Sequence, residues 1–144
     1  MIRHATAADI PALLTLAREF VQMCPWIPHG IDDASTTATL QALMDAPAGV
    51  VLVAVDGTPA VVGMLLGVCL PAPFDAAHRL AQEVAWYVRQ DARAAQHGVA
   101  LYRAFVTWGQ WQGAQSVSLA TLSTGKPEVA QFLRREGFVP TETA

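Results

Sequence analysis

The residues of this chain that are best suited to bind an anion lie in the stretch RQDARAAQHGVALYRAF, from Arg89 to Phe105. A helix is predicted to begin within this stretch. The first amides of a helix lack intrahelical partners, and the helix dipole favours negative charge beside them. Small residues there let the backbone approach a phosphate closely. The candidate anion site consists of Arg93, Ala94, Ala95, Gln96, His97 and Gly98. The alternative is a solvated Arg93 beside a glycine at the start of an ordinary amphipathic helix.

Two strands and a helix are predicted to position this site. The segment AQEVAWYV, Ala81 to Val88, is a strand that leads into it. Apolar residues at spacings of three and four then predict a helix that ends at Gly113, and SVSLATL, Ser116 to Leu122, is the next strand. This order predicts a right-handed crossover between parallel strands. A short helix from about Pro127 to Arg135 should end at Gly137.

A hairpin is predicted upstream of the crossover. The run VVLVAV, Val50 to Val55, is β-branched and continuous, which is typical of a strand buried on both faces. Asp56-Gly57 supplies turn chemistry, and AVVGMLLGVCL, Ala60 to Leu70, returns as the partner strand. The segment from Pro71 to Leu80 is predicted to be a loop.

Two helices are predicted before the hairpin. After a short strand, Thr6 to Asp9 has the pattern of a capping box, and apolar residues follow at helical spacing from Ile10 to Val21. A second helix is predicted from about Asp33 to Met44, capped by Asp32 or by Asp33 itself. Together the elements predict an α/β fold with a mixed sheet that contains one parallel crossover.

Composition narrows the possible classes of function. With 144 residues, 53% of them hydrophobic, the chain is long enough to bury a core, and we expect a single domain over residues 1–144. A net charge of −3 without a basic stripe argues against nucleic-acid binding. The longest apolar run, Ala60 to Leu70, has 11 residues, whereas a helix that spans a bilayer takes about 20. No secretion signal is evident, so a cytoplasmic location is expected.

The cysteines and histidines predict neither a disulfide nor a metal site. Cys24 and Cys69 have no CxxC spacing and are expected to be reduced, partly buried thiols. The four histidines show none of the close spacings typical of metal ligands; they are His4, His29, His78 and His97.

In the order of its elements, the chain from residue 1 to about residue 140 resembles the GNAT superfamily, the Gcn5-related N-acetyltransferases. The resemblance is carried by the hairpin VVLVAVDGTPAVVGMLLGV, the strand AQEVAWYV, and the later segments SVSLATL and VAQFLRREGF. The family motif Q/R-x-x-G-x-G/A corresponds to Arg93 to Gly98, with Gln96 in place of the central glycine. The resemblance implies a mostly antiparallel, twisted sheet flanked by helices. The last strand would be short or missing, because the chain stops at VPTETA.

The resemblance also implies acetyl-CoA as the co-substrate, with no metal. In the family this loop binds the pyrophosphate through backbone amides, a role that here falls on Arg93 to Gly98 and on Val99. The backbone of Trp86, Tyr87 and Val88 would bond the pantetheine arm as an added strand does. Core packing is the alternative for the two aromatic side chains. The glutamine in the motif is expected to leave the pyrophosphate site open.

Amine acylation needs a base for the amine and a way to stabilise the leaving thiolate. Glu83 resembles the acidic strand residue that several family members use as a base; an outward-facing or ion-paired glutamate is the alternative. Leu133 stands where many relatives carry a tyrosine, and it cannot donate a proton. Tyr87, Tyr102, Ser123 or solvent would then protonate the thiolate.

The resemblance therefore implies an acetyl-CoA-dependent N-acetyltransferase in which a primary amine, on a small molecule or a peptide, attacks the thioester directly. The alternative is a catalytically impaired GNAT-fold module that binds CoA or a protein partner; a third possibility is a scaffold used only for assembly. A homodimer is expected if a neighbouring subunit covers the sheet edge left by the missing strand. We expect Trp26 to lie near the acceptor entrance or to cap the core. Lys126 is expected to lie beside a phosphate or in solvent.

Overall fold

Five strands and four α-helices make up the part of the chain that the structure, a computed structural model, describes: residues 1–24, 26–91, 94–120 and 127–140. The strands are β1 (Ile2–His4), β2 (Gly49–Val55), β3 (Val61–Ala72), β4 (Asp75–Val88) and β5 (Ser116–Ser118). The helices are α1 (Ile10–Gln22), α2 (Asp33–Asp45), α3 (Ala94–Trp111) and α4 (Pro127–Arg135), and a 3₁₀ turn, Ala7–Asp9, precedes α1.

The strands form one sheet in the order β1-β2-β3-β4-β5. The first three pairings are antiparallel, and β4 pairs with β5 in parallel through the crossover that contains α3. This arrangement confirms the predicted mixed, mostly antiparallel fold. Side chains of α1 and α2 pack on one face of the sheet and those of α3 on the other. The run Val50–Val55 is buried on both faces, as its unbroken apolar sequence predicts.

The helix boundaries follow from the capping residues found in the sequence. Asp9 accepts a hydrogen bond from the Thr6 amide at 2.8 Å, which forms the predicted capping box. The 3₁₀ turn that follows places Pro11 in the first turn of α1, where its missing N–H costs nothing. Asp32 caps α2 by accepting from the Ser35 amide at 2.8 Å. Gly137 follows α4 with a φ of +97°, as a C′ glycine does.

Two of the predicted boundaries are wrong. The segment Pro71–Leu80 is not a loop: β3 runs on to Ala72 and β4 begins at Asp75, because the two strands continue pairing along their main chains, with Leu70 opposite Leu80. The predicted strand Ser116–Leu122 is too long. Pairing with β4 stops where Ser118 lies opposite Gln82, and Leu119 and Ala120 belong to no strand. Leu122 lies outside the described residues.

Three further expectations concern the last strand, the two cysteines and the possibility of a membrane-spanning helix. No strand follows α4 as far as Pro140, the last residue described. Cys24 and Cys69 are buried and form no disulfide. None of the helices in the described ranges is long and apolar enough to span a membrane.

Candidate functional site

Where β5 ends, no strand of the described ranges covers the second edge of β4. From Glu83 to Val88, β4 pairs with β3 and with no strand on its other side among the described residues. The Arg89 amide donates to the Val62 carbonyl at 2.8 Å. In an antiparallel pair, every second residue directs its main-chain N–H and C=O groups at the partner strand, so this bond shows which residues of β4 do so. The main-chain groups of Tyr87 are therefore directed at β3, whereas those of Trp86 and Val88 face away from it. We call the space beside these two residues the β4 gap.

One position on this edge is already bonded by the chain itself. The Gln90 side-chain amide donates to the Val88 carbonyl at 2.8 Å. That carbonyl is one that the strand alternation directs into the β4 gap. A ligand amide at the same position would have to replace the Gln90 side chain.

A β-bulge places Glu83 at the far end of the β4 gap. Gly67 lies opposite Glu83 while Leu66 lies opposite Ala85, so Val84 is the extra residue of the bulge. Ala85 packs in the core beneath α1 and α2. A Cβ on Gly67 would meet Phe105 of α3, so Gly67 and the Glu83 opposite it face α3. The bulge thus turns Glu83 to the α3 side of the sheet.

The environment of Glu83 favours its protonated form. Burial raises the pKa of its carboxyl to about 7, and a hydrogen bond from the Ala120 backbone offsets part of that shift. Glu83 is only partly exposed, and it forms no ion pair with another described residue. The alternative that Glu83 is ion-paired is therefore not supported within the described ranges. A carboxyl with a pKa near 7 titrates where a general base works best.

The predicted anion site lies largely inside α3. This helix begins at Ala94, so Ala94 to Gly98 form its first turn and the start of its second, and not a loop before it. Arg93 lies outside the described residues. The first turn of α3 contains no acidic side chain, in contrast to those of α2 and α4, so nothing in that turn neutralises its dipole. Ala95 and Gln96 are exposed, and Val99 is half-buried one turn further on.

His97 and Gly98 face the rest of the protein. A hydrogen bond from Thr58 is the main reason that the pKa of Asp56 is lowered, and the nearby charge of His97 adds to it. His97 therefore lies near the turn between β2 and β3. A Cβ on Gly98 would come within 3.9 Å of the side chains of Trp86 and Val88, an ordinary contact distance. Gly98 is thus turned towards β4 and leaves room for a methyl group.

Aromatic side chains from β4, α3, α4 and the residues after α4 form an aromatic wall beside the β4 gap. Trp86 stacks on Tyr102, with ring centroids 6.4 Å apart. Tyr102 in turn meets Phe132 and Phe138 edge to face, at 5.4 and 5.9 Å. Leu133, which stands in place of the family tyrosine, is buried. The Trp86 side chain therefore packs in this wall while its main chain faces the gap.

The other tyrosine lies on the opposite face of the sheet. The Tyr87 hydroxyl donates to Glu19 of α1 at 3.1 Å, and Arg89 binds the same carboxylate with a contact of 2.8 Å. These contacts fasten the end of β4 to α1 just before the anion site. Sequence reasoning missed this cluster because Glu19 is 68 and 70 residues from its partners, and no local pattern marks such a pair.

The remaining candidates from the sequence are Trp26, Ser123, Lys126 and the possible metal ligands. Trp26 is 60% exposed in the segment between α1 and α2, which does not support a role as a cap over the core. A groove of about 520 Å³ is lined by residues of α1 and of the segment after it, among them Arg18, Cys24 and Ile31. Ser123 and Lys126 lie outside the described residues. Within the described ranges, no group of three or more His, Cys, Asp or Glu side chains is placed to bind a metal ion.

The mixed, mostly antiparallel sheet with its parallel β4–β5 pair and flanking helices is the fold of the GNAT acetyltransferases. Solved structures match over the full chain. A transcriptional regulator from Bacillus halodurans C-125 has 18% identity, a TM-score of 0.82 and coverage of 100% of this chain and 95% of its own. A putative acetyltransferase from Agrobacterium tumefaciens str. C58 has 22% identity, a TM-score of 0.75 and coverage of 100% and 96%. An aminoglycoside acetyltransferase from an uncultured soil metagenomic sample has 20% identity, a TM-score of 0.73 and coverage of 100% and 91%. Neither protein-family models nor curated protein sequences match the chain.

Proposed function

We propose that this protein is an N-acetyltransferase that transfers the acetyl group of acetyl-CoA to a primary amine. The observation that carries the proposal is the edge of β4 that no strand covers in the described part of the chain, beside the N-terminus of α3. The main chain of Trp86 and Val88 offers hydrogen-bonding groups to an extended ligand, and the first amides of α3 offer them to an anion. The pantetheine arm and pyrophosphate of acetyl-CoA have this combination of an extended amide chain and a charged end.

Each part of the site has a distinct role in this proposal. The first turn of α3, from Ala94 to His97, binds the pyrophosphate, with Arg93 adding charge. Trp86 and Val88 hold the pantetheine arm, and Gln90 gives up its bond to Val88 as the arm binds. Because Tyr87 directs its main chain at β3, it takes no part in this pairing. Gln96 is exposed on the first turn, so its side chain has room to turn away from the phosphates.

Glu83 is the proposed general base. A protonated amine cannot attack a thioester, and a carboxylate at the end of the β4 gap can accept the proton that the amine loses. Burial raises the pKa of Glu83 to about 7, which makes it a stronger base than an exposed glutamate and still leaves it ionised at slightly alkaline pH. Activity is therefore expected to rise with pH through the neutral range.

The alternative is a GNAT-fold module that binds CoA without turning it over. The observation in its favour is the buried Leu133, which leaves α4 without a proton donor at that position. A screen of amines on small molecules and on peptides identifies the acceptor. The net charge of −3 favours a cationic acceptor only weakly.

Calorimetric titration with acetyl-CoA at moderate salt is the first test. We expect micromolar binding that weakens about tenfold in Arg93→Ala, since a charge-assisted contact to phosphate is lost. Arg103→Ala is the matched control, because Arg103 is exposed on α3 two turns beyond the anion site. Binding that is absent up to millimolar acetyl-CoA would refute the proposal and favour a scaffold used only for assembly.

A second experiment separates catalysis from binding. Acetyl-CoA is incubated with a panel of amines, and free thiol is measured for the wild type and for Glu83→Gln. The variant is expected to bind acetyl-CoA as the wild type does and to lose most of its turnover. Binding with no turnover by the wild type on any amine would support the binding module instead.

A further inference from the structure

Building on the proposed function, we infer that Tyr102 is the catalytic residue that stabilises the departing thiolate, by donating a hydrogen bond to the sulfur from α3. This role would replace the one that Leu133 on α4 cannot perform. The inference assigns the donor to a different helix from the one on which the family motif places it.

The chain contains two tyrosines, and their surroundings are opposite. Tyr87 faces α1 and α2, and its hydroxyl is held by the Glu19 carboxylate at 3.1 Å. Its proton is committed to that bond, on the face of the sheet away from α3. Tyr102 lies on the α3 side, in contact with both Trp86 and Phe132. It therefore stands between the open edge of β4 and α4.

The Tyr102 hydroxyl is free to bind a ligand. The residue as a whole is only 8% exposed, yet its oxygen makes no hydrogen bond to any residue in the described ranges. Those ranges also contain no side-chain polar atom that is both fully buried and unpaired. The oxygen must therefore reach the protein surface while the ring is held in the aromatic wall. A rigidly packed ring with an accessible hydroxyl is a pre-organised donor.

The direction of the co-substrate brings its sulfur to this part of the gap. With the pyrophosphate at Ala94 to His97, the pantetheine arm runs past Val88 and then Trp86 towards Glu83. The sulfur is at the end of the arm remote from the phosphates. It would lie beyond Trp86, between the side chain that stacks on Tyr102 and the proposed base.

The proton balance favours a hydrogen bond over a full transfer. The amine nitrogen bonds to the acyl carbon and loses a proton to Glu83, while the carbon–sulfur bond breaks and its electron pair stays on sulfur. Burial raises the pKa of Tyr102, and the charge of Glu136 adds to the shift while that of Arg103 opposes it. A tyrosine with a pKa above 10 is a weaker acid than a thiol, whose pKa is about 8.5. Tyr102 thus stays protonated, and the thiolate takes its proton from solvent.

Binding measurements test this role without knowledge of the acceptor. CoA and desulfo-CoA, which lacks the sulfur, are titrated at pH 9.5, where a substantial fraction of the CoA thiol is ionised. A hydrogen bond to a charged sulfur should make wild-type binding of CoA about tenfold tighter than that of desulfo-CoA. In Tyr102→Phe the two affinities should become equal, while the affinity for desulfo-CoA stays at its wild-type value. Tyr87→Phe, which removes the other hydroxyl, should keep the tenfold ratio.

The outcomes distinguish this inference from the proposed function. Equal binding of the two ligands by the wild type would refute the role of Tyr102 and leave the CoA site intact. An unchanged ratio in Tyr102→Phe would do the same. If neither ligand binds, the proposed function fails, and the role of Tyr102 fails with it. A loss of desulfo-CoA binding in Tyr102→Phe would show that the hydroxyl supports the site without contacting the sulfur, which would refute its role, and far-ultraviolet circular dichroism would show whether the variant is folded.

Discussion

The stability of the protein should depend on the ionisation of Glu83. The pKa of this carboxyl is about 7 in the folded protein against 4.5 for an ordinary glutamate. The folded state therefore binds the proton more tightly than the unfolded chain does. Below pH 4.5 both states are protonated and Glu83 costs nothing. As the pH rises to 7 the cost grows, and above 7 it is constant.

The size of the effect follows from the shift. A difference of about 2.5 pKa units corresponds to about 3 kcal/mol, and partial exposure of the side chain reduces this to about 2 kcal/mol. Glutamine has nearly the same shape, keeps an oxygen to accept from the Ala120 backbone, and does not ionise. Glu83→Gln should therefore match the wild type at pH 4 and exceed it by about 2 kcal/mol at pH 8.

Urea denaturation of both proteins at several pH values between 4 and 8 measures this difference. Other ionising groups titrate in both proteins, so their effects cancel in the comparison. Glu128→Gln is the control for the loss of one surface carboxylate, since Glu128 is exposed in the first turn of α4. A difference between Glu83→Gln and the wild type that stays constant across this range would show that burial does not raise the pKa of Glu83.

Three further substitutions should change stability in directions that the packing specifies. Gly67→Ala should destabilise the protein by about 1 to 3 kcal/mol in urea denaturation, because its Cβ would lie 2.2 Å from a ring carbon of the fully buried Phe105. Gly98→Ala should instead raise stability by up to about 1 kcal/mol, since alanine is the better helix former and its Cβ meets nothing closer than 3.9 Å. A lower midpoint for Gly98→Ala than for the wild type would contradict this helical position. Asp32→Ala should cost about 1 kcal/mol through the lost bond to the Ser35 amide, and Asp32→Asn should restore most of it.

Local patterns predicted most of the fold. Thr6 to Asp9 and Asp32 mark helix starts because capping is decided by side chains within three residues of the start. The run Val50–Val55 marks a buried strand for a similarly local reason. The extension of β3 and β4 through Pro71 and Asp75 was missed because proline and aspartate favour turns. There the pairing of one strand with the other outweighs the local preference.

The candidate site was only partly predictable from sequence. The family resemblance named Glu83 as a candidate base and the family motif named the start of α3 as a candidate anion site, but neither showed on which face of the sheet Glu83 lies. That depends on a register shift opposite Gly67, which no local pattern specifies. The contact of Arg89 with Glu19 joins residues 70 positions apart and depends on the folded arrangement of the chain. The choice between the two tyrosines likewise needed their neighbours, which are distant in sequence.

The bulge at Val84 lets Glu83 and Ala85, which are two positions apart, face opposite sides of the sheet. Val84 is 51% exposed, so most substitutions there should be tolerated. Deletion of Val84 would remove the extra residue and make Glu83 and Ala85 direct neighbours, which strict alternation also places on opposite faces. Glu83 would stay on the α3 side, and Ala85 would stay in the core beneath α1 and α2. We therefore expect related sequences to vary in this residue, or to lack it, without any change in the face on which the glutamate lies.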